Sequence, residues 1–285
     1  MFFKKRGEET LSAPKERIWE IDALRGLIIF AMLGLHLYHY SADFFVYGGY
    51  SKIDPIGFIN KVDPQRFFFD LRDDGSIDLC FGVPVYPMLV DMARVTLFII
   101  SGISCSFSKD NFARGVKLFV AAYGVSIFSL GFSYLFAGDD RYFIKFGILQ
   151  VFAIVVLFYC LISKFKYVWQ ILIGAAFIAL DVLLKVLHVS SDNPFVCVLL
   201  LGNGPSGYLG YESFPLIPFI GYFVISAVIG KKIYKEKKTL IKFDNHRKAF
   251  GFLEYLGRHS GVIYVVQMFG YLTIFYLIGY IFNLF

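Results

Sequence analysis

The chain has 285 residues, of which 57% are hydrophobic and only 18% are charged. Soluble domains average about 25% charged residues, so this composition argues against a soluble fold, which would lack polar surface to cover its core. The net charge of +6 does not indicate nucleic-acid binding, since the basic residues form short clusters between apolar segments. We therefore expect an integral membrane protein that has lipids as partners and no nucleic-acid partner.

Seven apolar segments come close to the length of about 20 residues that a helix needs to cross the hydrocarbon core of a bilayer. They predict an all-α fold, a polytopic membrane helix bundle of about seven transmembrane helices. We expect a single transmembrane domain over residues 1–285. In chain order the predicted spans are 21–40, 88–107, 116–136, 143–162, 168–187, 214–229 and 261–282.

The distribution of lysine and arginine between the loops predicts the orientation. One alternating set of loops, 1–25, 108–117, 163–167 and 231–258, holds 20 of the 28 basic residues, and the other set, 41–86, 137–145 and 188–213, holds six. The basic set is expected on the cytoplasmic side. The N-terminus, with a cytoplasmic segment at 1–20, is then inside and the C-terminus outside, and 41–86 forms a long extracytoplasmic loop.

The first predicted helix carries the most polar group of residues. His36, His39, Tyr40 and Asp43 follow one another at helical spacing on one face, and His36 lies about 22 Å along the helix from Ile21. Ionisable groups inside a span are costly and are therefore functional candidates. A histidine there can act as a general base toward a hydroxyl or an amine. The alternative is a pair of interfacial histidines that reach lipid headgroups.

Further polar residues lie in or near the spans. The spacing of Asp22 with Arg25, and of Asp91 with Arg94, predicts two ion pairs within helices, although Arg94 could instead hold an anionic group. Glu212 precedes the sixth span on the outer side and is a second candidate base or substrate contact.

Small residues at 101–104 either allow close helix packing or make room for a cofactor that threads into the bundle. The basic stretch 231–248 either lies against anionic lipid or receives a phosphorylated cytosolic cosubstrate. Cys80 and Cys197 would both be extracytoplasmic, which leaves a disulfide between them open. No metal-binding spacing is present in the sequence, so we expect no metal.

Five short motifs, in order along nearly the whole chain, resemble one family. They are WEIDALRG (19–26) followed by a run that ends at His36, LFIISGIS (97–104), FGIL (146–149), FPLIPF (214–219), and LGRHS (256–260) followed by Ile263 and Tyr264. This set resembles the heparan-alpha-glucosaminide N-acetyltransferase catalytic-domain family, whose bacterial members are small membrane proteins. The sequence departs from the family where members often have histidine, since Gln150 and Gln267 stand at those two places.

The resemblance implies a transmembrane acyltransferase of the bacterial cytoplasmic membrane. Such an enzyme passes an acyl group, expected to be acetyl from cytosolic acetyl-CoA, to an extracytoplasmic glycan or small-molecule acceptor, a sugar hydroxyl or amine. His36 falls on the family's first-helix histidine and is the expected general base or transient acyl carrier. A transporter or flippase, and a non-catalytic membrane scaffold, stay open as alternatives, and a homodimer is compatible with the sequence.

The candidate site residues form three groups. We expect catalytic roles for His36, His39 and Asp43. Binding of the acetyl-CoA cosubstrate is expected at Arg25, Ser101, Gly102, Ser104, Lys109, Arg114, Lys117 and Arg258. Binding of the acceptor substrate is expected at Tyr40, Arg94, Gln150, Glu212 and Gln267.

Overall fold

The chain is helical in nearly all the parts that can be placed. The computed structural model describes residues 18–42, 70–71, 77–78, 85–108, 110–136, 140, 142–189, 191, 193, 196–197, 200, 214–235 and 238–281. Two short strands, β1 (Asp70–Leu71) and β2 (Ile77–Asp78), pair antiparallel within the predicted 41–86 loop. The helices of the described residues are α1 (Trp19–Ala42), α2 (Val85–Phe107), α3 (Asn111–Phe136), α4 (Ile148–Ile162), α5 (Tyr167–Val186), α6 (Phe219–Ile233), α7 (His246–Arg258) and α8 (Ser260–Ile281).

The predicted all-α class is confirmed, and each predicted span contains a helix. Two of these helices, over Asn111–Leu135 and Tyr167–Val186, are long and apolar enough to cross a membrane. Shorter apolar helices run over Met92–Phe107, Ile148–Ile162 and Ser260–Phe275. The count of seven spans and the orientation of the termini stay predictions.

Helix α5 shows the distribution of side chains that a lipid environment favours. Its buried residues are Gln170, Gly174 and Asp181, which are polar or small. Its large apolar side chains, such as Trp169 and Leu183, are exposed. A helix in water would bury the apolar side chains, whereas in lipid small and polar residues mediate contacts between helices. Together with the apolar helices, this pattern supports a membrane protein.

The larger hydrophobic core of the described residues includes side chains of α2, α3, α4, α6 and α8. Phe98 of α2 is fully buried, and its ring stacks on those of Phe152 and Phe219 at centroid distances of 4.0 and 4.5 Å. Glycine allows α2 and α6 to come close, since a Cβ added at Gly102 would overlap the carbonyl of Phe223. Gly102 therefore serves close packing of α2 on α6, while a cofactor-binding role of the small residues at 101–104 stays a prediction.

Helix α7 is an element that the sequence analysis did not predict. The segment 231–258 contains nine lysines and arginines, which made it resemble a solvated loop. However, Phe250, Leu253, Glu254 and Gly257 recur at helical spacing, and this face of α7 packs on α1. The helical period was present in the sequence but was concealed by the charges around it.

The crossing of α1 and α7 depends on two glycines that face each other. A Cβ on Gly26 would overlap the carbonyl oxygen of Leu253 and lie 3.0 Å from the nitrogen of Gly257. A Cβ on Gly257 would overlap the carbonyl oxygen of Asp22. The two backbones are therefore in direct contact, and only glycine fits at either position without a shift of a helix.

Candidate active site

His36 lies in the C-terminal half of α1 and contacts α8. Its Nδ1 is 2.8 Å from Nε2 of Gln267, and its ring meets the ring of Tyr264 edge-on at a centroid distance of 6.2 Å. Gln267 is only 5% exposed, while His36 is half-buried. One turn before His36, the hydroxyl of Tyr271 donates to the carbonyl oxygen of Leu33 at 3.0 Å. Side chains of α8 therefore fix the position of this histidine.

A second polar cluster lies at the N-terminal end of α1, and we call it the arginine network; it comprises Asp22, Arg25, Ser104, Glu254 and Arg258. The guanidinium of Arg25 donates to Ser104 Oγ, to Asp22 Oδ1 at 3.4 Å and to the carbonyl oxygen of Gly257 at 3.5 Å. The predicted ion pair of Asp22 with Arg25 is thereby confirmed. The side chain of Arg25 therefore contacts both α2 and α7.

Arg258 continues the arginine network along α7. Its Nε lies 3.6 Å from Asp22 Oδ2, and its terminal nitrogen lies 2.8 Å from Glu254 Oε2. Glu254 is 2% exposed, and its other carboxylate oxygen lies 2.7 Å from Nδ1 of His246. A buried carboxylate needs such partners, because an isolated buried charge is strongly unfavourable. The arginine network thus satisfies its own charges.

The start of α1 holds the segment before α7. The indole nitrogen of Trp19 donates to the carbonyl oxygen of Ile241 at 3.1 Å, and its ring stacks on those of His246 and Phe250. The carboxylate of Glu20 accepts hydrogen bonds from Thr239 Oγ1 at 2.6 Å and from the Leu240 amide at 2.7 Å. The motif at 19–26 therefore anchors the basic segment and α7 to the first helix.

The described residues that were expected to bind acetyl-CoA lie in different contacts, and their binding role stays a prediction. Arg25, Ser104 and Arg258 belong to the arginine network, and Gly102 contacts α6, which leaves no room for a threaded arm on that face. Arg114 and Lys117 lie at the start of α3, and neither forms an ion pair with a described residue. Ser101 is buried in α2, and Lys109 lies outside the described residues.

The basic stretch 231–248 begins at the end of α6. The ammonium of Lys231 lies over the rings of Tyr159 and Tyr167 at 5.5 and 5.7 Å from their centroids. Burial lowers the pKa of Lys231. Burial, and secondarily the nearby Glu20, raise the pKa of the Tyr234 phenol. The first residue of this stretch is therefore packed against aromatic rings and is a poor candidate for a phosphate contact.

The expected acceptor-binding residues are also separated. Gln267 contacts His36, as described above. Gln150 instead joins α4 to α3, since its Nε2 donates to Ser126 Oγ at 2.6 Å and its Oε1 accepts from the Gly147 amide at 3.0 Å. The guanidinium of Arg94 lies 4.8 Å from the centroid of the Phe214 ring.

Five further predicted residues have side chains that lie outside the described residues. His39 and Tyr40 are part of α1, but their side chains lie outside the described residues, as does that of Asp91 in α2. Asp43 and Glu212 lie outside them altogether. Their predicted roles stay predictions.

The described residues include one of the two cysteines that were considered for a disulfide. Cys197 is a buried free thiol whose Sγ donates to the carbonyl oxygen of Ser191 at 2.8 Å, while Cys80 lies outside the described residues. In the part of the chain that the structure describes, no three histidine, cysteine, aspartate or glutamate side chains come together as a metal site.

Two contributors to these clusters were missed by the sequence analysis. The sequence contains a signal for the role of Glu254, because it precedes Arg258 by four residues, the spacing of an ion pair along one face of a helix. Tyr264 appeared only as part of a motif, and nothing in the sequence indicated that its ring would contact His36.

One comparison with known proteins gives a match. The model of the family described as heparan-alpha-glucosaminide N-acetyltransferase, catalytic, matches residues 65–269 of the chain, well over half of its length. No curated protein matches, and no solved structure matches. The matched range begins after α1 and ends within α8, so it includes Gln267 but not His36.

Proposed function

Because the chain belongs to the heparan-alpha-glucosaminide N-acetyltransferase catalytic family, we propose that it is a membrane-bound acetyltransferase in which His36 is the catalytic residue. The donor is cytosolic acetyl-CoA, and the acceptor is a sugar hydroxyl or amine on the extracytoplasmic side. The observation that carries this proposal is the contact of His36 with Gln267. It brings an imidazole of the first helix against a buried polar side chain of the matched range.

The fit of acetyl-CoA to the chain's cations favours Arg114 and Lys117 as phosphate contacts. Arg25 and Arg258 are already neutralised by Asp22 and Glu254, so a phosphate would have to compete with these carboxylates. Arg114 is half-buried and Lys117 is exposed, and the two lie one turn apart at the start of α3. When bound, acetyl-CoA supplies an activated thioester, and the chain supplies charge, position and a proton acceptor.

Two routes for His36 stay open. In the first, an imidazole nitrogen takes the proton of the acceptor hydroxyl or amine, which then attacks the thioester carbonyl directly, and the proton passes to the leaving thiolate. In the second, the imidazole lone pair attacks the carbonyl, and the acyl group passes from the ring to the acceptor. His39 and Asp43, which follow at helical spacing, are proposed to assist it.

The proposed topology assigns the donor-binding residues and His36 to opposite sides of the membrane. With seven spans and the basic loops in the cytoplasm, Arg114 and Lys117 face the donor's compartment and His36 lies in the outer half of the bilayer. The acceptor then enters beneath the 41–86 loop, and Arg94 and Tyr40 line its path. The proposed location is the bacterial cytoplasmic membrane.

The test is transfer of radiolabelled acetyl from acetyl-CoA to a panel of amino sugars and glycans by protein purified in detergent. We expect H36A to lower the transfer rate by about 10²–10⁴-fold, the range for loss of a general base. The matched control is H188N, since His188 is exposed at the end of α5 with a positive φ that asparagine tolerates. This control should retain full activity.

Folding and donor binding are measured on the same samples. H36A should remain monodisperse, and acetyl-CoA should still raise its thermal midpoint, because the proposed phosphate contacts are on α3. A folded H36A protein that transfers acetyl at the wild-type rate would refute the assignment of His36. A wild-type protein that is not stabilised by acetyl-CoA and acetylates nothing would refute the proposed function itself.

A further inference from the structure

Three described glutamines are buried, and two of them, Gln150 and Gln267, were expected to bind the acceptor; the surroundings of these two differ. Gln150 is tied at both ends of its carboxamide: Nε2 donates to Ser126 Oγ and the Ala122 carbonyl oxygen, and Oε1 accepts from the Gly147 amide. This carboxamide cannot turn without loss of these hydrogen bonds. The role of Gln150 is therefore to join α3 and α4.

The carboxamide of Gln267 forms a hydrogen bond at one of its two ends only. Its Nε2 lies 2.8 Å from His36 Nδ1, while its Oε1 is buried and has no hydrogen-bond partner among the described residues. A buried polar atom without a partner costs about 1–3 kcal/mol and calls for an explanation. If the carboxamide of Gln267 rotates by half a turn, its Oε1 replaces its Nε2 in front of His36 Nδ1. This rotation breaks no other hydrogen bond of Gln267 with the described residues.

The two orientations of the carboxamide select different states of the imidazole. When Nε2 of Gln267 donates to Nδ1, the neutral ring keeps its proton on its own Nε2. When Oε1 faces Nδ1, it accepts a hydrogen bond from Nδ1–H, which leaves the other ring nitrogen able to accept a proton. The protonated ring carries both N–H groups, and it requires the second orientation.

We propose that Gln267 is the positioning residue of His36, a neutral carboxamide that turns to keep a hydrogen bond with Nδ1 in both tautomers of the neutral ring and that accepts from Nδ1–H when the ring is protonated. The consequence for catalysis rests on the proposed function. During transfer the acceptor's O–H or N–H bond breaks and its proton moves to Nε2 of His36, while Nδ1–H donates to Gln267 Oε1. The proton then leaves Nε2 for the thiolate of CoA, and the ring is neutral again.

A neutral carboxamide beside His36 affects the pKa of the ring differently from a carboxylate. A carboxylate at this place would favour the protonated ring and raise its pKa, as an opposite charge does at short range, by about 1–3 units. Among the described side chains of α8, the titratable ones that contact this part of α1 are the phenols of Tyr264 and Tyr271. One described contact of α2 with α1 is that of Ser104 with Arg25, eleven residues before His36, and on α1 itself His39 and Asp43 follow His36 in the sequence.

The first test is the pH dependence of acetyl transfer in Q267E. We expect the acidic limb of the kcat/KM profile to move up by about 1–3 pH units, because a base of raised pKa is protonated, and inactive, over a wider range. In Q267M the ring loses its hydrogen bond, so kcat should fall about 10²-fold while KM for acetyl-CoA is retained.

The matched control is Q150M, which removes a buried glutamine that does not contact His36. It should lower the thermal midpoint and leave the acidic limb unchanged. If Q267E fails to fold, Q267M carries the test, because methionine has a similar volume and no charge. The inference about Gln267 is overturned if folded Q267M has the kcat and the acidic limb of the wild type. If H36A is inactive in the same assay, the proposed function still stands.

A second readout does not require activity. The chain has five histidines, and the ¹³C-labelled ring signal of His36 can be assigned by its loss in H36A. Titration of this signal should show a pKa that is raised in Q267E and unaltered in Q150M. If the titration moves as expected while no acyl transfer is detected, the proposed function fails and the positioning role stands. If the titration in Q267E matches that of the wild type, the positioning role is refuted.

Discussion

The crossing of α1 and α7 makes G26A a sensitive test of the fold around the arginine network. A Cβ at Gly26 would lie 2.6 Å from the Leu253 carbonyl carbon, whereas carbon atoms in contact are about 3.5–4.0 Å apart. The neighbouring atom is backbone, so no side chain can turn away. One helix must therefore move by about 1 Å.

The cost follows from the contacts that this movement strains. Overpacking of this kind costs about 1–3 kcal/mol. Separation of the helices also weakens the hydrogen bond from Arg25 to the Gly257 carbonyl, and charged hydrogen bonds contribute about 1.5–3 kcal/mol. The gain in helix propensity from glycine to alanine returns about 1 kcal/mol. We expect a net loss of about 2–4 kcal/mol.

The assay is the thermal midpoint in detergent, with G34A as the matched control. Gly34 is on the same helix, but a Cβ there would meet no atom within 4 Å, so this substitution gains helix propensity alone. The thermal midpoint of G26A should be roughly 5–10 °C below that of the wild type, and the midpoint of G34A should be unchanged or slightly higher. If both variants melted at the same temperature, α1 and α7 would not be in contact as described.

Two further substitutions test the arginine network. E254A leaves Arg258 and His246 without their buried carboxylate and should lower the free energy of unfolding by about 3–5 kcal/mol. E254Q retains the shape of the side chain and should lower it less. Equal thermal midpoints for the wild type and E254A would contradict the ion pairs. R25K keeps the charge but cannot donate to Ser104, Asp22 and Gly257 together; a midpoint lower by several degrees is expected, and an unchanged one would contradict the fork geometry.

The sequence was informative where a local pattern determines the structure. Apolar runs of membrane length indicated helices in the right order, and the i, i+3 spacing indicated the pair of Asp22 with Arg25. Such pairs depend only on helical geometry, which is the same in every helix. The start of the sixth helix was placed at 214, too early, because Pro215 and Pro218 precede the first full turn.

Contacts between distant segments could not be predicted in the same way. His36 and Gln267 are 231 positions apart, and their hydrogen bond depends on how α8 lies against α1. The crossing at Gly26 and Gly257 is of the same kind, since a glycine in a helix does not reveal which backbone approaches it. Arg25 also donates to Ser104 of α2, and Nε of Arg258 lies 3.6 Å from Asp22 Oδ2 of α1, and no local spacing indicates these two contacts.

The two ends of α1 are connected through α7. Helix α7 ends at Arg258 and α8 begins at Ser260, so the contact that fixes α7 against Gly26 also fixes the start of α8. Gln267 lies seven residues further on, about 10 Å along the helix, and reaches His36 from there. A displacement of α7 should therefore be transmitted to the His36–Gln267 contact, which fails when its atoms separate beyond about 3.5 Å. It follows that G26A, assayed well below its melting temperature, should lose kcat in the same way as Q267M does, whereas G34A should not.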